Sequence, residues 1–210
     1  TLCDGDTPPV LNGGPGNTSY VWTLNGAPLA MTQNVTANAS GLYVVTVKNS
    51  FDCSRTEQVR ITFEPKPTLN AINDSYDLCD GQSLTVNVES NGTEFAWKKS
   101  GTTIQGETTK TLVISEEATY TIIVSNVADC STEKEFVVTS RPRPIIELGA
   151  DFDLCPGDSK ILNAGTHTEY IWSNNSNGPT LQAIAGQPTT VTNNRYTVIV
   201  KNEFGCEAND

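Results

Sequence analysis

The chain is poor in the residues that carry most enzyme chemistry. It has one histidine, His167, one methionine, Met31, and no CxxC pair among its six cysteines. A Ser-His-Asp or Cys-His arrangement therefore has a single available base, and a zinc site built from paired cysteines and histidines lacks ligands. No GxGxxG or GxxxxGK stretch is present to cradle a phosphate. No apolar run approaches the ~20 residues of a membrane-spanning helix, and Thr1 does not begin a signal peptide. Basic residues are also scarce: 13 against 24 acidic ones, a net charge of −11, which argues against nucleic acid and anionic membrane surfaces as partners. A 3.6-residue apolar period is hard to find anywhere. These absences lead to the expectation of a protein that is not an enzyme and needs no cofactor.

What is present is a repeat. A CxG motif occurs at Cys3, Cys79 and Cys155, 76 residues apart each time. A lone tryptophan follows 17 to 19 residues later (Trp22, Trp97, Trp172), then a tyrosine (Tyr43, Tyr120, Tyr196) ten residues before a second cysteine (Cys53, Cys130, Cys206). One pattern used three times accounts for every cysteine and every tryptophan. Modules of this length bury only a little over ~60% of the surface their unfolded chains expose, so cross-links commonly supplement the core. Six cysteines of this kind suggest disulfides and an oxidising compartment.

Pro65-Lys66-Pro67 and Arg141-Pro142-Arg143-Pro144 separate the copies. Alternating prolines hold the backbone extended, as short semi-rigid junctions. The expected domains are 1–65, 66–142 and 143–210. The first copy starts two residues before its CxG cysteine and is expected to lack its first strand. The third ends four residues after Cys206 and is expected to lack its last. This reads as an excerpt from a longer array.

Period-2 alternation around the tyrosines (Tyr43, Val45, Val47; Tyr120, Ile122, Val124; Tyr196, Val198, Val200) predicts half-buried strands. Further strands are expected at Leu84–Val88 and Lys160–Ala164, at Phe95–Trp97 and Tyr170–Trp172, and at Val59–Phe63 and Phe136–Thr139. Asn25-Gly26 and Asn91-Gly92 mark turns. Short strands with frequent turns indicate an all-β chain of sandwiches.

Ala39-Ser40-Gly41-Leu42-Tyr43-Val44-Val45 resembles the tyrosine corner of immunoglobulin-like domains, with Val45, Ile122 and Val198 where such domains carry a cysteine. The resemblance implies that Trp22, Trp97, Trp172, Tyr43, Tyr120 and Tyr196 are core residues. In immunoglobulin lettering, the first cysteine of each repeat lies in the turn before strand B and the second in the F–G hairpin. Pairing within a repeat closes a loop of about 50 residues, worth about 4 kcal/mol in the chain-entropy model, and is the first expectation. Against it, those two positions lie at opposite poles of a sandwich. A six-residue strand spans ~20 Å, and a disulfide needs Cα atoms within ~7 Å. The other scheme joins Cys3 to Cys130 and Cys79 to Cys206 across successive repeats, leaving Cys53 and Cys155 for other neighbours.

Leu154-Cys155-Pro156-Gly157-Asp158, Tyr170-Ile171-Trp172-Ser173 and the run from Tyr196 to Cys206 resemble the PKD-like and immunoglobulin-like repeats of large Bacteroidetes surface proteins. These include SprB-type gliding-motility adhesins exported by type IX secretion. That resemblance implies a tandem array of three immunoglobulin-like (PKD-like) β-sandwiches with disulfides, displayed outside a Gram-negative cell. The implied role is a stalk or filament segment of an adhesin for gliding or attachment. Its implied partners are neighbouring repeats and, beyond them, surface polysaccharide or another surface protein. The alternative is a glycan- or protein-binding module of a secreted multidomain protein.

Two other features were weighed. Asp4-Gly5-Asp6, Asp151-Phe152-Asp153 and Glu116-Glu117 are acidic clusters of the kind that supply calcium with oxygen ligands, with Asp4, Asp6, Asp151 and Asp153 the candidates. None has the spacing of a dedicated loop, and acidic residues also serve simply to solubilise turns. His167, with no counterpart in the other repeats, is expected in a solvated turn between strands.

Overall fold

A computed structural model describes residues 1–185 and 194–210, and among these every regular element is a strand. The middle repeat shows the arrangement in full. One sheet runs Ser75–Cys79, Ser131–Arg141, Ala118–Ser125, Glu94–Lys99, Thr102–Thr103; the first two strands are parallel and the other neighbours antiparallel. The second layer pairs Leu84–Asn87 with Thr111–Ile114 and Glu89–Ser90 with Leu69–Asn70. The outer repeats use the same plan with fewer pairs. Ser19–Leu24, Ala27–Ala30, Gly41–Lys48 and Ser54–Ile61 form one sheet of the first, and Glu169–Trp172, Val198–Lys201 and Glu207–Asn209 form one sheet of the third. Each has its own pair in the second layer, Val10–Asn12 with Asn34–Thr36 and Ser159–Asn163 with Thr180–Ile184. The chain is a tandem array of immunoglobulin-like β-sandwiches.

The cause is visible in the tyrosine strand. Alternate residues of Ala118–Ser125 are buried: Tyr120, Ile122 and Val124 face the core while Thr121, Ile123 and Ser125 are half-buried. Opposite Ile122 in register stands Trp97; Trp22 faces Val45 and Trp172 faces Val198 in the same way. Each tryptophan thus lies against the aliphatic residue that occupies the usual cysteine position. All three indoles are buried and donate outward at 2.8–2.9 Å, Trp22 to the Thr32 carbonyl, Trp97 to Thr109 and Trp172 to Gly178. The polar edge of each ring is thereby satisfied.

Three cores result, unequal in size. The middle one gathers eleven buried residues around Phe136, whose ring meets Tyr76, Trp97 and Tyr120 at centroid distances of 5.4, 6.4 and 5.8 Å. The first has only Trp22, Ala37, Tyr43 and Val45 fully buried. Tyr196 is half-buried at the edge of the third. Tyr43 and Tyr120 donate their hydroxyls to carbonyls four residues upstream, those of Ala39 and Glu116, at 2.9 and 3.0 Å. Tyr120→Phe is expected to cost about 1 kcal/mol by orphaning the Glu116 carbonyl, read as a lowered urea midpoint.

The structure corrects several strand expectations. The terminal strands begin right after the second cysteine, at Ser54 and Ser131, and are longer than the apolar runs suggested. Neither outer repeat lacks its strand outright. Leu2–Cys3 pairs in parallel with Phe63–Glu64, and Glu207–Asn209 pairs with Val198–Lys201. Backbone pairing needs no apolar signature, so two- and three-residue stubs suffice. Asn25-Gly26 is a tight hairpin turn with φ of 50° and 85°, setting Leu24 opposite Ala27. Gly92 is different: a Cβ there would lie 2.2 Å from Val124 Cγ1 and 2.9 Å from the Ser125 carbonyl oxygen. Gly92→Ala should destabilise the middle repeat by roughly 1–3 kcal/mol through overpacking, measurable by chemical denaturation.

Candidate intermodule interface

Two local devices, each built three times, carry the cysteines. The first is the CxG turn. Asp6 N donates to Cys3 O at 3.0 Å, Gln82 N to Cys79 O at 2.9 Å, and Asp158 N to Cys155 O at 2.9 Å. The third residue of each turn is glycine, with φ of 87° at Gly5, 72° at Gly81 and 90° at Gly157. A turn with positive φ at this position is of type II and favours glycine, which explains the motif. In the first two repeats the turn is also fastened to the strand leaving the repeat. Cys3 is in register with Glu64 and Cys79 with Arg141, and Asp4 N and Asp80 N donate to the carbonyls of those residues.

The second device is the hairpin Asn-x-x-x-Cys. Asn49, Asn126 and Asn202 each accept, through Oδ1, the backbone N–H two residues on and that of the cysteine four residues on, at 2.9–3.1 Å. The asparagine amide nitrogen is left pointing out of the hairpin. In the second and third repeats it donates to the proline linker that enters the repeat: Asn126 Nδ2 to Pro65 O at 2.9 Å and Asn202 Nδ2 to Pro142 O at 2.8 Å. Thr132 Oγ1 adds a bond to Pro67 O at 2.7 Å. The linkers are therefore pinned as well as stiffened by proline.

The turn of one repeat meets the hairpin of the next. Cys3 is bonded to Cys130 and Cys79 to Cys206, with Cα atoms 5.4 and 5.5 Å apart. The first expectation, pairing within each repeat, is thereby corrected, and the reason is the one raised by the topology: turn and hairpin lie at opposite poles of one sandwich but adjoin across a junction. Cys130 and Cys206 are fully buried there, whereas Cys53 and Cys155 are free and exposed. At the second junction the Arg141 guanidinium lies 4.0 Å from the centroid of the Phe204 ring and its Nε is 2.6 Å from Asp77 Oδ1.

The other candidates do not converge. Asp6 spends a carboxylate oxygen on Cys3 N at 2.8 Å, Asp4, Asp151 and Asp153 are exposed, and no group of three His, Cys, Asp or Glu residues is close enough to hold a metal among the described residues. His167 is half-buried with its ring edge toward Tyr170 at 5.9 Å. The resolved acid–base shifts belong to surface ion pairs and one core phenol. Hydrogen bonds from Lys134 and Lys99 hold the carboxyls of Asp74 and Glu116 below their ordinary range. Lys201 is raised by Glu207, and burial raises Tyr120. None of these groups lines a cleft with a nucleophile. Sequence reasoning missed the Asn-to-linker bonds and the Arg141–Phe204 stack; the Asn-x-x-x-Cys spacing was the available signal for the first, and its repetition beside each Pro-x-Pro marks the contact.

No protein-family model matches the chain, and no curated protein matches it. Among solved structures it is similar to Sidekick-1 immunoglobulin domains 1–5, at 13% identity and a TM-score of 0.39, covering 99% of this chain and 55% of that one. It is similar to the N-terminal eight Ig domains of Down Syndrome Cell Adhesion Molecule, at 16% identity and 0.38, covering 100% and 33%. A third likeness is to the fibronectin(III)-like modules of Clostridium thermocellum CbhA, at 12% and 0.32, covering 67% and 83%. The chain thus spans about half the length of the Sidekick-1 fragment.

Proposed function

We propose that this chain is a load-bearing stalk segment of a secreted surface protein, divided into modules at 65/66 and 142/143, that holds a distal adhesive site away from the cell. The observation that carries this reading is the pair of disulfides that bridge successive sandwiches pole to pole, beside proline linkers pinned by asparagine. A binding module needs an open site; a spacer needs fixed junctions, and the most elaborate chemistry of this chain lies at its junctions. Disulfides also favour an extracellular setting. The finer identification, a segment of a Gram-negative gliding or attachment adhesin exported by type IX secretion, draws its support from the sequence resemblance, and labelling of intact cells with an antibody to this segment tests it.

Pulling single molecules by Thr1 and Asp210 tests the load-bearing role. The shortest covalent path from Cys3 to Cys206 crosses both disulfides and only the residues between Cys79 and Cys130. At ~3.5 Å per residue that path is about 180 Å long, against about 700 Å for the reduced chain. Oxidised molecules should stop near the shorter limit and lengthen about fourfold on adding reductant. Extension to the full length without reductant would contradict the reading. Specific retention of the chain by a surface polysaccharide on a glycan array would replace a stalk with a binding module.

A further inference from the structure

The first hairpin is built like the two that are occupied, yet nothing covers it. Asn49 makes the same two backbone bonds as Asn126 and Asn202, but among the described residues its Nδ2 has no linker carbonyl to donate to. Cys53 is exposed where Cys130 and Cys206 are fully buried. Phe51 is 84% exposed, the most exposed phenylalanine of the chain, while Phe204 at the same hairpin position is 37% exposed beneath Arg141.

The two occupied junctions also show how the hairpin matches its partner. The residue in register with the CxG cysteine faces the hairpin position two residues after asparagine. At the first junction these are Glu64 and Ala128; at the second they are Arg141 and Phe204, stacked at 4.0 Å. The aromatic is present where the opposing residue is a cation and absent where it is an anion. Phe51 is an aromatic without its cation, since a guanidinium over a ring is attractive and a carboxylate there is not.

We propose that the Asn49–Cys53 hairpin is a docking socket for the tail of another immunoglobulin-like module, one that ends as the middle repeat does. That tail would offer a CxG turn whose cysteine bonds Cys53, an arginine over Phe51 and a proline carbonyl to Asn49 Nδ2. The covalent step is an exchange with a disulfide oxidant such as oxidised glutathione: two thiols become one disulfide and two molecules of glutathione are released. The socket stands apart from the stalk reading, since it concerns which surface fits this hairpin and not what the array carries.

Grafting a second copy of residues 66–152 in front of Thr1 tests it. In this fusion Thr1-Leu2-Cys3 follows the graft as Asp153-Leu154-Cys155 follows the middle repeat. After oxidation in a glutathione buffer, non-reducing peptide mapping should recover Cys53 joined to a Cys79 peptide, together with the Cys3–Cys130 and Cys79–Cys206 bridges that certify folding. Phe51→Ala should then shift the glutathione ratio that half-reduces the Cys53 bridge by about fivefold. A Cys53 that remains alkylatable while the other two bridges are recovered would overturn the socket, and an unshifted ratio would overturn the aromatic pairing. The unmodified chain gives an independent reading. At high concentration in the same buffer, copies should join through Cys53–Cys155, whose turn matches, and a majority of Cys53–Cys53 bridges would count against the socket.

Discussion

Replacing Cys3 and Cys130 together by serine is expected to release the first repeat from the array. Its core has four fully buried residues against eleven in the middle repeat, so it relies most on its cross-link. With Cys3 tied to a folded middle repeat, unfolding residues 3–65 closes a loop whose lost entropy is worth about 4 kcal/mol in the chain-entropy model. Removing the tie should lower amide protection in Gly41–Lys48 by about a thousandfold, as read by hydrogen exchange under native conditions. Protection in Ala118–Ser125 should hold, because the Phe136-centred core does not touch Cys3. Unchanged protection in Gly41–Lys48 would mean that the small core suffices without the junction.

The second large effect is expected at Trp97. The ring has no exposed surface, its edge meets Phe136, and its Nε1 satisfies the Thr109 carbonyl. Trp97→Ala removes that area, leaves a cavity walled by Phe136 and Ile122, and orphans a carbonyl; such truncations cost about 3–5 kcal/mol. The consequence reaches past the middle repeat, because Cys79 and Cys130 both belong to it. Loss of its fold frees the anchor points of both junctions while leaving the bonds intact. Chemical denaturation should show the middle repeat unfolding first, where in the native chain its core makes it the last. Equal denaturation midpoints for the variant and the native chain would place the stability of this repeat elsewhere than in its core.

The sandwich was legible because burial leaves a period. Tyr120, Ile122 and Val124 alternate with more exposed residues, and the same alternation recurs 76 residues away in each direction. Strands held mainly by backbone bonds left no such mark: Thr102–Thr103, Leu2–Cys3 and Glu207–Asn209 are short, and their side chains carry little of the core. The turn and hairpin cysteines were legible as positions but not as pairs. A constant repeat gives constant spacing under either scheme, and only the three-dimensional separation of the poles distinguishes them. Asn126 and Asn202 looked like ordinary turn residues, since one side-chain oxygen shapes the hairpin locally; the bond from the opposite end of the amide to a carbonyl some 60 residues earlier is a property of the junction alone.

The central claim is that the cysteines lock successive sandwiches together instead of stapling each one. Proteolysis of the unreduced chain, with free thiols blocked beforehand, followed by mass spectrometry of the linked peptides, tests it most directly. The account predicts Cys3 joined to Cys130, Cys79 joined to Cys206, and blocked thiols at Cys53 and Cys155. Recovery of Cys3–Cys53, Cys79–Cys130 and Cys155–Cys206 would contradict it and turn the rod into a string of separately stapled beads.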